Sequence, residues 1–95
     1  MTTKERSILR SRAQTIESIG QIGKGGISDN MLKGLSDALE ARELIKLTVL
    51  KNSDDEARFL ADEIAEKLNA EAVCTIGHKI VLYRRSQKEN IIHLL

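Results

Sequence analysis

Tryptophan and proline are absent from this 95-residue chain, and Phe59 and Tyr83 are its whole aromatic content. Without large aromatics the core must be built from Ile, Leu, Val and Ala, and a thin core of that kind is sensitive to truncation. The length lies near the lower end of what one domain needs, and no internal repeat or low-complexity stretch divides it, so a single domain over 1–95 is expected, with its core at about 4–85. Cys74 is the only cysteine. An intramolecular disulfide is therefore excluded, and the charged opening MTTKERSILRSR lacks the apolar stretch of a signal peptide, which points to a reducing, cytosolic setting. No run approaches the roughly 20 apolar residues of a membrane span.

Net charge is also nearly absent, at +1, but the balance is uneven along the chain. Residues 1–52 carry 9 Lys and Arg against 6 Asp and Glu, residues 53–73 carry 2 against 7, and residues 74–95 carry 4 against 1. If the two basic flanks meet in space, one side of the molecule attracts polyanions without a high isoelectric point. An ordinary solvated surface has the same composition, so charge alone leaves both readings open.

Periodicity supplies the elements. Leu9, Ala13 and Ile16 share one face of a helix over 4–15, with Arg6 and Arg10 along its border. Ser18 to Ile22 reads as a short strand, and Gly23, Lys24, Gly25 and Gly26 as a loop. Ser28 caps a second helix running to about Arg42; Leu32, Leu35 and Leu39 form its buried stripe, with Met31 and Ala38 beside them, while Lys33, Ser36, Asp37 and Glu40 face out. From Leu44 to Lys51 the alternation places Ile45, Leu47 and Val49 on one face and Lys46 and Thr48 on the other. Ser53, Asp54, Asp55 and Glu56 have the S-x-x-E spacing of a capping box, followed at helical spacing by Ala57, Leu60, Ala61, Ile64, Ala65 and Leu68. That third helix is expected to carry the acidic cluster Asp54, Asp55, Glu56, Asp62, Glu63 and Glu66 on a face turned away from any nucleic acid. Ala72 to Ile76 and Lys79 to Arg84 form a hairpin, with Gly77 and His78 as a type II′ turn. The tail, 86–95, is open: an edge strand, a cover for the core, or a surface that pairs with another chain. The order α-β-α-β-α-β-β gives an α/β fold in which a four-stranded mixed sheet packs with three helices.

A glycine loop between a strand and a helix N-terminus offers backbone N–H groups to an anion. Gly23 and Gly26 have the G-x-x-G spacing with which KH domains clamp a nucleic-acid backbone, and Lys24 adds a charge inside it. A plain tight turn has the same spacing. The basic company weighs against that reading: Arg6, Arg10, Arg12, Lys24, Lys33, Lys46, Lys51, Lys79, Arg84 and Arg85 all lie outside the acidic segment. Walker and dinucleotide fingerprints are absent. His78 reads as a turn residue, Cys74 as a small core residue, and two His with one Cys lack zinc-site spacing, so no catalytic residue, metal or cofactor is expected. Tyr83 is open to two readings, stacking on a base or packing in the core.

Three segments, IGKGGIS at Ile22–Ser28, ELIK at Glu43–Lys46 and GHKIVLYR at Gly77–Arg84, together with helix order and length, resemble the CRM domain (chloroplast RNA splicing and ribosome maturation) in its stand-alone bacterial, YhbY-like form. The resemblance implies a fold similar to the C-terminal domain of a bacterial translation initiation factor, with Gly23, Lys24, Gly25 and Gly26 as the RNA contact. It implies a factor acting on structured RNA of large-ribosomal-subunit precursors, and a monomer is expected; plant members of the family, acting in organelle splicing, usually carry several copies and a transit peptide. Arg6, Arg10, Arg12, Lys46, Lys79, Arg84 and Arg85 are expected to extend the contact. Gly20, where a bulkier residue is expected, suggests a bulged first strand. The competing reading is a small regulatory or protein-interaction domain that pairs through its sheet edge or through Ile91, Ile92, Leu94 and Leu95.

Overall fold

A computed structural model describes residues 1–95 as seven elements: α1 (Thr3–Ala13), β1 (Gly20–Ile22), α2 (Asp29–Arg42), β2 (Leu44–Val49), α3 (Ala57–Leu68), β3 (Glu71–Ile76) and β4 (Lys79–Tyr83). The sheet order is β1-β2-β4-β3, with β1 parallel to β2 and the other two pairings antiparallel. Both crossovers, through α2 and through α3, therefore step across the sheet in the same direction. Crossovers of one hand then lay both helices on one face. The packing agrees: Leu35 and Leu39 of α2 and Leu60, Ala61, Ile64 and Ala65 of α3 share a cluster with Ile22, Ile45, Leu47, Val49, Ile80 and Leu82. Period-two alternation sends the intervening residues to the other face, where α1 seats Leu9 and Ala13 on Leu44, Val73, Val81 and Tyr83. The result is three layers with the sheet in the middle.

Several local expectations change. The box at Ser53 does not form: α3 starts at Ala57 with Glu56 as a cap that makes no side-chain bond, and the Ser53 hydroxyl turns instead onto the backbone of Asp55. A short hydroxyl side chain bonds its own loop as readily as a helix end. The box that does form is at α1, where Thr2 accepts from the Glu5 amide and Glu5 accepts from the Thr2 amide. β1 is regular, Gly20 pairing with Leu47 in register; a Cβ there would meet Leu47 Cδ2 at 3.3 Å, which accounts for the glycine. The irregularity lies in β3 instead, between Ala72 and Cys74, so that Val73 and Cys74 both pack toward α1. Asn69, in the left-handed region, closes α3 with the Ala70 amide on the Ala65 carbonyl. The hairpin turn keeps its expected form: Gly77 has φ 58° and His78 is not in the positive region.

The tail forms no strand. Leu94 and Leu95 pack against the α1 side of the core, and Ser86 is buried, so of the three possibilities the tail covers the core. What holds it is Glu43, between α2 and β2. This glutamate is only 1% exposed and has φ 65°. Its carboxylate accepts from the Ser86 amide at 2.7 Å, the Leu94 amide at 2.9 Å and the His93 ring. Burial alone would raise the Glu43 pKa, but the bonds from His93, Ser86 and Leu94 outweigh it and hold the carboxyl below the ordinary glutamate range.

Candidate nucleic-acid interface

The carboxyl ends of the parallel pair β1 and β2 lie at one end of the sheet, together with the β3–β4 turn. From this end projects the loop 23–26. Gly25 and Gly26 have φ 96° and 71°, values that side-chain-bearing residues rarely adopt, and nothing lies within 4 Å of the Cβ that either lacks. At Gly23 the constraint is space: a Cβ there would crowd the Asn52 carboxamide at 3.2 Å and Leu50 at 3.3 Å, and both side chains would have to shift. The Gly26 amide closes the turn on the Gly23 carbonyl at 3.2 Å, leaving the Lys24 and Gly25 amides without intramolecular partners. The loop thus shows outward donors on an open surface, with the exposed Lys24 among them.

It does not open directly into the helix. Ile27 and Ser28 intervene, the Ser28 hydroxyl already accepts from the Met31 amide, and Asp29 stands in the first turn of α2. An anion at this end must therefore be held by the loop amides and Lys24, with little help from the helix dipole. Half of the acidic cluster, Asp62, Glu63 and Glu66, is on α3 as expected, and the other half lies before the helix. Asp54, Asp55 and Glu56 precede α3, in the β2–α3 loop, where they line a shallow pocket with Thr75, Gly77 and His78 of the hairpin.

The remaining cations divide sharply. Lys46 and Lys79 lie on the α1 face of the sheet; Lys79 donates to Thr48 Oγ1 at 2.7 Å, and neither lysine has a carboxylate partner within ion-pair distance. Arg10 stands with Arg6 and Lys46 around Cys74, whose thiol burial pushes up despite these three charges. The small-core reading of Cys74 fits its half-buried position. Arg6 is engaged: its guanidinium donates to the carbonyls of Ala72 and Val73, covering the outer edge of β3 at its bulge. Arg12 lies with Arg42 in a cleft formed by Ile16, Ile19, Leu44 and Leu94, to one side.

Arg84 and Arg85 are at the opposite end. Arg84 donates to the Leu68 and Ser36 carbonyls at 2.8 and 2.9 Å, to the Ser36 hydroxyl and to Glu40, joining α2, α3 and β4. Ser36 and Glu40, expected to face solvent, are therefore half-buried acceptors. Arg85 reaches the Leu95 carbonyl. Tyr83 is buried in the α1 cluster, which decides for packing over stacking and leaves Phe59, 60% exposed on α3, as the accessible aromatic. Of the eleven residues singled out in the sequence, Lys24 and Gly25 present unbonded amides on the loop, and Lys24, Lys79, Lys46 and Arg10 carry cations without a carboxylate partner. Gln21, Thr48 and Ser18, which lie among them, carry no charge and gave no signal in the sequence.

A single mixed sheet with two helices on one face, one on the other and a glycine loop at the carboxyl end of its parallel strands defines a class of small α/β domain. The chain belongs to the CRS1/YhbY (CRM) domain family, whose model matches residues 1–84. It is similar to the "Probable RNA-binding protein YqeI" of Bacillus subtilis, 43% identical over 94 residues, covering 99% of this chain and 98% of that one. An "RNA-binding protein" of Haemophilus influenzae is 30% identical over 91 residues, 96% and 92% of the two chains. The solution structure of a hypothetical Staphylococcus aureus protein, described as a candidate RNA-binding protein, superimposes with a TM-score of 0.79 at 47% identity, covering 95% of this chain and 94% of the other.

Proposed function

We propose that this protein binds structured RNA through the loop Gly23–Gly26, with Lys24, Lys79, Lys46 and Arg10 extending the contact, and that its RNA is that of large-ribosomal-subunit precursors. The observation that carries the reading is the loop itself: two unbonded amides and a lysine on an open turn, a form suited to phosphate. Unpaired cations on the adjoining sheet face supply the sequence-independent attraction that dominates nucleic-acid affinity. With Tyr83 buried, no platform of aromatics exists for splayed bases, which favours recognition of shape over recognition of single-stranded sequence. Relatives named as RNA-binding proteins support the same reading. The ribosomal target comes from the family resemblance alone.

The competing protein-interaction reading needs the tail or a free sheet edge. Leu94 and Leu95 are already packed on the chain's own core, and Arg6 with the bulge covers the β3 edge, which leaves that reading the exposed Ile92 and the three-residue edge of β1. Titration of large-subunit ribosomal RNA fragments across a salt series tests the proposal. Lys24→Ala should weaken binding and reduce the slope of log K against log salt by about 1, and Gly25→Asp, which puts a carboxylate on the loop, should abolish it. Binding that ignores both variants would reject the loop as the contact.

A further inference from the structure

The α1 face of the sheet is only partly covered. α1 and the tail close it around Leu44, Val73, Val81 and Tyr83, and the row nearest the glycine loop is left bare. That row is fixed by register: Gln21 pairs with Thr48, Thr48 with Lys79, and Lys79 with Ile76. Adjacent strands are about 4.8 Å apart, so Gln21 to Lys79 spans roughly 10 Å. Gln21 is two residues before Gly23, which makes the row continuous with the loop.

Its polar groups are held in an order. Lys79 Nζ donates to Thr48 Oγ1 at 2.7 Å, Thr48 Oγ1 donates to Ser18 Oγ at 2.8 Å, and Ser18 Oγ donates to the Gly20 carbonyl at 3.0 Å. This chain pins an ammonium that would otherwise swing free, and leaves it two unused N–H donors. Beside it, the exposed Gln21 carboxamide makes no hydrogen bond within the protein, so both its donors and its acceptor face outward. The shallow depression here is lined by Ser18, Ile19, Gly20, Gln21, Thr48 and Lys79, with no carboxylate among them.

A positioned cation next to a neutral group that both donates and accepts is a particular chemistry. Phosphate oxygens only accept, and are served by Lys79. A ribose 2′-hydroxyl donates and accepts, and is matched by a carboxamide. We propose that the row Gln21–Thr48–Lys79, adjoining the glycine loop, is a second contact that reads the ribose-phosphate backbone of RNA and discriminates it from DNA. Lys79 holds a phosphate, Gln21 exchanges hydrogen bonds with the neighbouring 2′-hydroxyl, and Thr48 is a positioning residue that fixes Lys79. The assignment rests on the RNA-binding reading above and adds the origin of its selectivity for ribose.

The test compares binding of a large-subunit ribosomal RNA hairpin with the DNA hairpin of the same sequence, for wild type, Gln21→Met, Thr48→Val, Thr48→Ser and Lys24→Ala. Loss of one hydrogen bond to the 2′-hydroxyl in Gln21→Met should lower the RNA-over-DNA preference by roughly three- to tenfold, with the salt slope unchanged. Thr48→Val should lower RNA affinity as Lys79 comes loose, and Thr48→Ser, which restores the hydroxyl, should recover it. Lys24→Ala should weaken RNA and DNA alike. Wild-type RNA binding that depends on Lys24, with a preference that Gln21→Met leaves intact, would overturn the row and leave the loop standing. A wild type that prefers neither hairpin would also overturn the row, and one that binds neither would overturn the RNA-binding reading with it.

Discussion

At the loop end of the sheet, the amides of Lys24 and Gly25 and the Lys24 ammonium find no partner inside the protein. At the tail end almost every polar group is engaged: Glu43 with Ser86, His93 and Leu94, Glu40 with Ser86, Gln87 and Arg84, and Arg84 with two carbonyls besides. The same residue types thus do different work in one small sheet. Arg84 is spent holding the fold, while Lys79, at the other end of β4, is pinned through one of its three donors and keeps two free. A buried polar group without a partner costs about 1–3 kcal/mol, so the closed end must be satisfied internally; exposed groups at the open end are satisfied by water and released to a ligand at little cost. The contrast locates binding at one end and stability at the other.

The strongest way to break that contrast is to remove the tail-end hub. Glu43→Ala should cost about 3 kcal/mol in urea unfolding, because it leaves the Ser86 and Leu94 amides and the His93 ring without their acceptor. Glu43→Gly should lose about 1 kcal/mol less, since φ 65° with ψ −38° is a conformation only glycine holds without strain. Lys24→Ala should change stability by less than about 0.5 kcal/mol. Equal destabilisation by Glu43→Ala and Lys24→Ala would dissolve the division between the two ends.

Acid should separate the ends next. Hydrogen bonding lowers the pKa of Glu40, first through the Gln87 amide, and the bonds to Glu43 outweigh its burial in the same direction. A carboxyl whose folded pKa is depressed adds stability that is present in full above the ordinary glutamate range and is lost as pH falls through and below it. Stability should therefore decline from about pH 4 downward, with amide exchange at Ser86, Gln87 and Leu94 rising before exchange in β2 and β4. Glu43→Gln should flatten that decline. An acid transition identical in wild type and Glu43→Gln would show that the tail is not held by the Glu43 carboxylate.

The two ends were not equally legible in the sequence. Three glycines in four residues announce a turn, and the elements around it follow from periodicities of 2.0 and 3.6, so the loop, the helices and the hairpin could be placed from residue spacing. Arg84 could not. Next to Tyr83 at a strand end it looks like any surface arginine, and its acceptors at Ser36, Glu40 and Leu68 lie 48, 44 and 16 residues away. Glu43 was visible only as part of a family motif, because its partners lie across the chain in a tail without periodicity. The misplaced capping box has a local cause: Ser53 and Thr2 both precede a glutamate by three residues, and only at Thr2 does the helix begin where the spacing requires. Long-range polar contacts are the part of this fold that one-dimensional spacing does not encode.

The smallest effect concerns α2, which runs from the loop end to the tail end. Gly34 sits in the middle of this helix, exposed, and an added Cβ would meet nothing within 4 Å. Glycine in a helix interior is less favourable than alanine by about 0.5–1 kcal/mol, and no packing inside the chain explains its presence. Gly34→Ala should therefore raise stability by about that amount in urea unfolding. RNA affinity decides what the glycine is for. Unchanged affinity would confine the binding surface to the loop and the α1 face, whereas weakened affinity in a more stable protein would mean that the ligand's backbone comes close to α2, and would carry the open end of the molecule around onto its helical face.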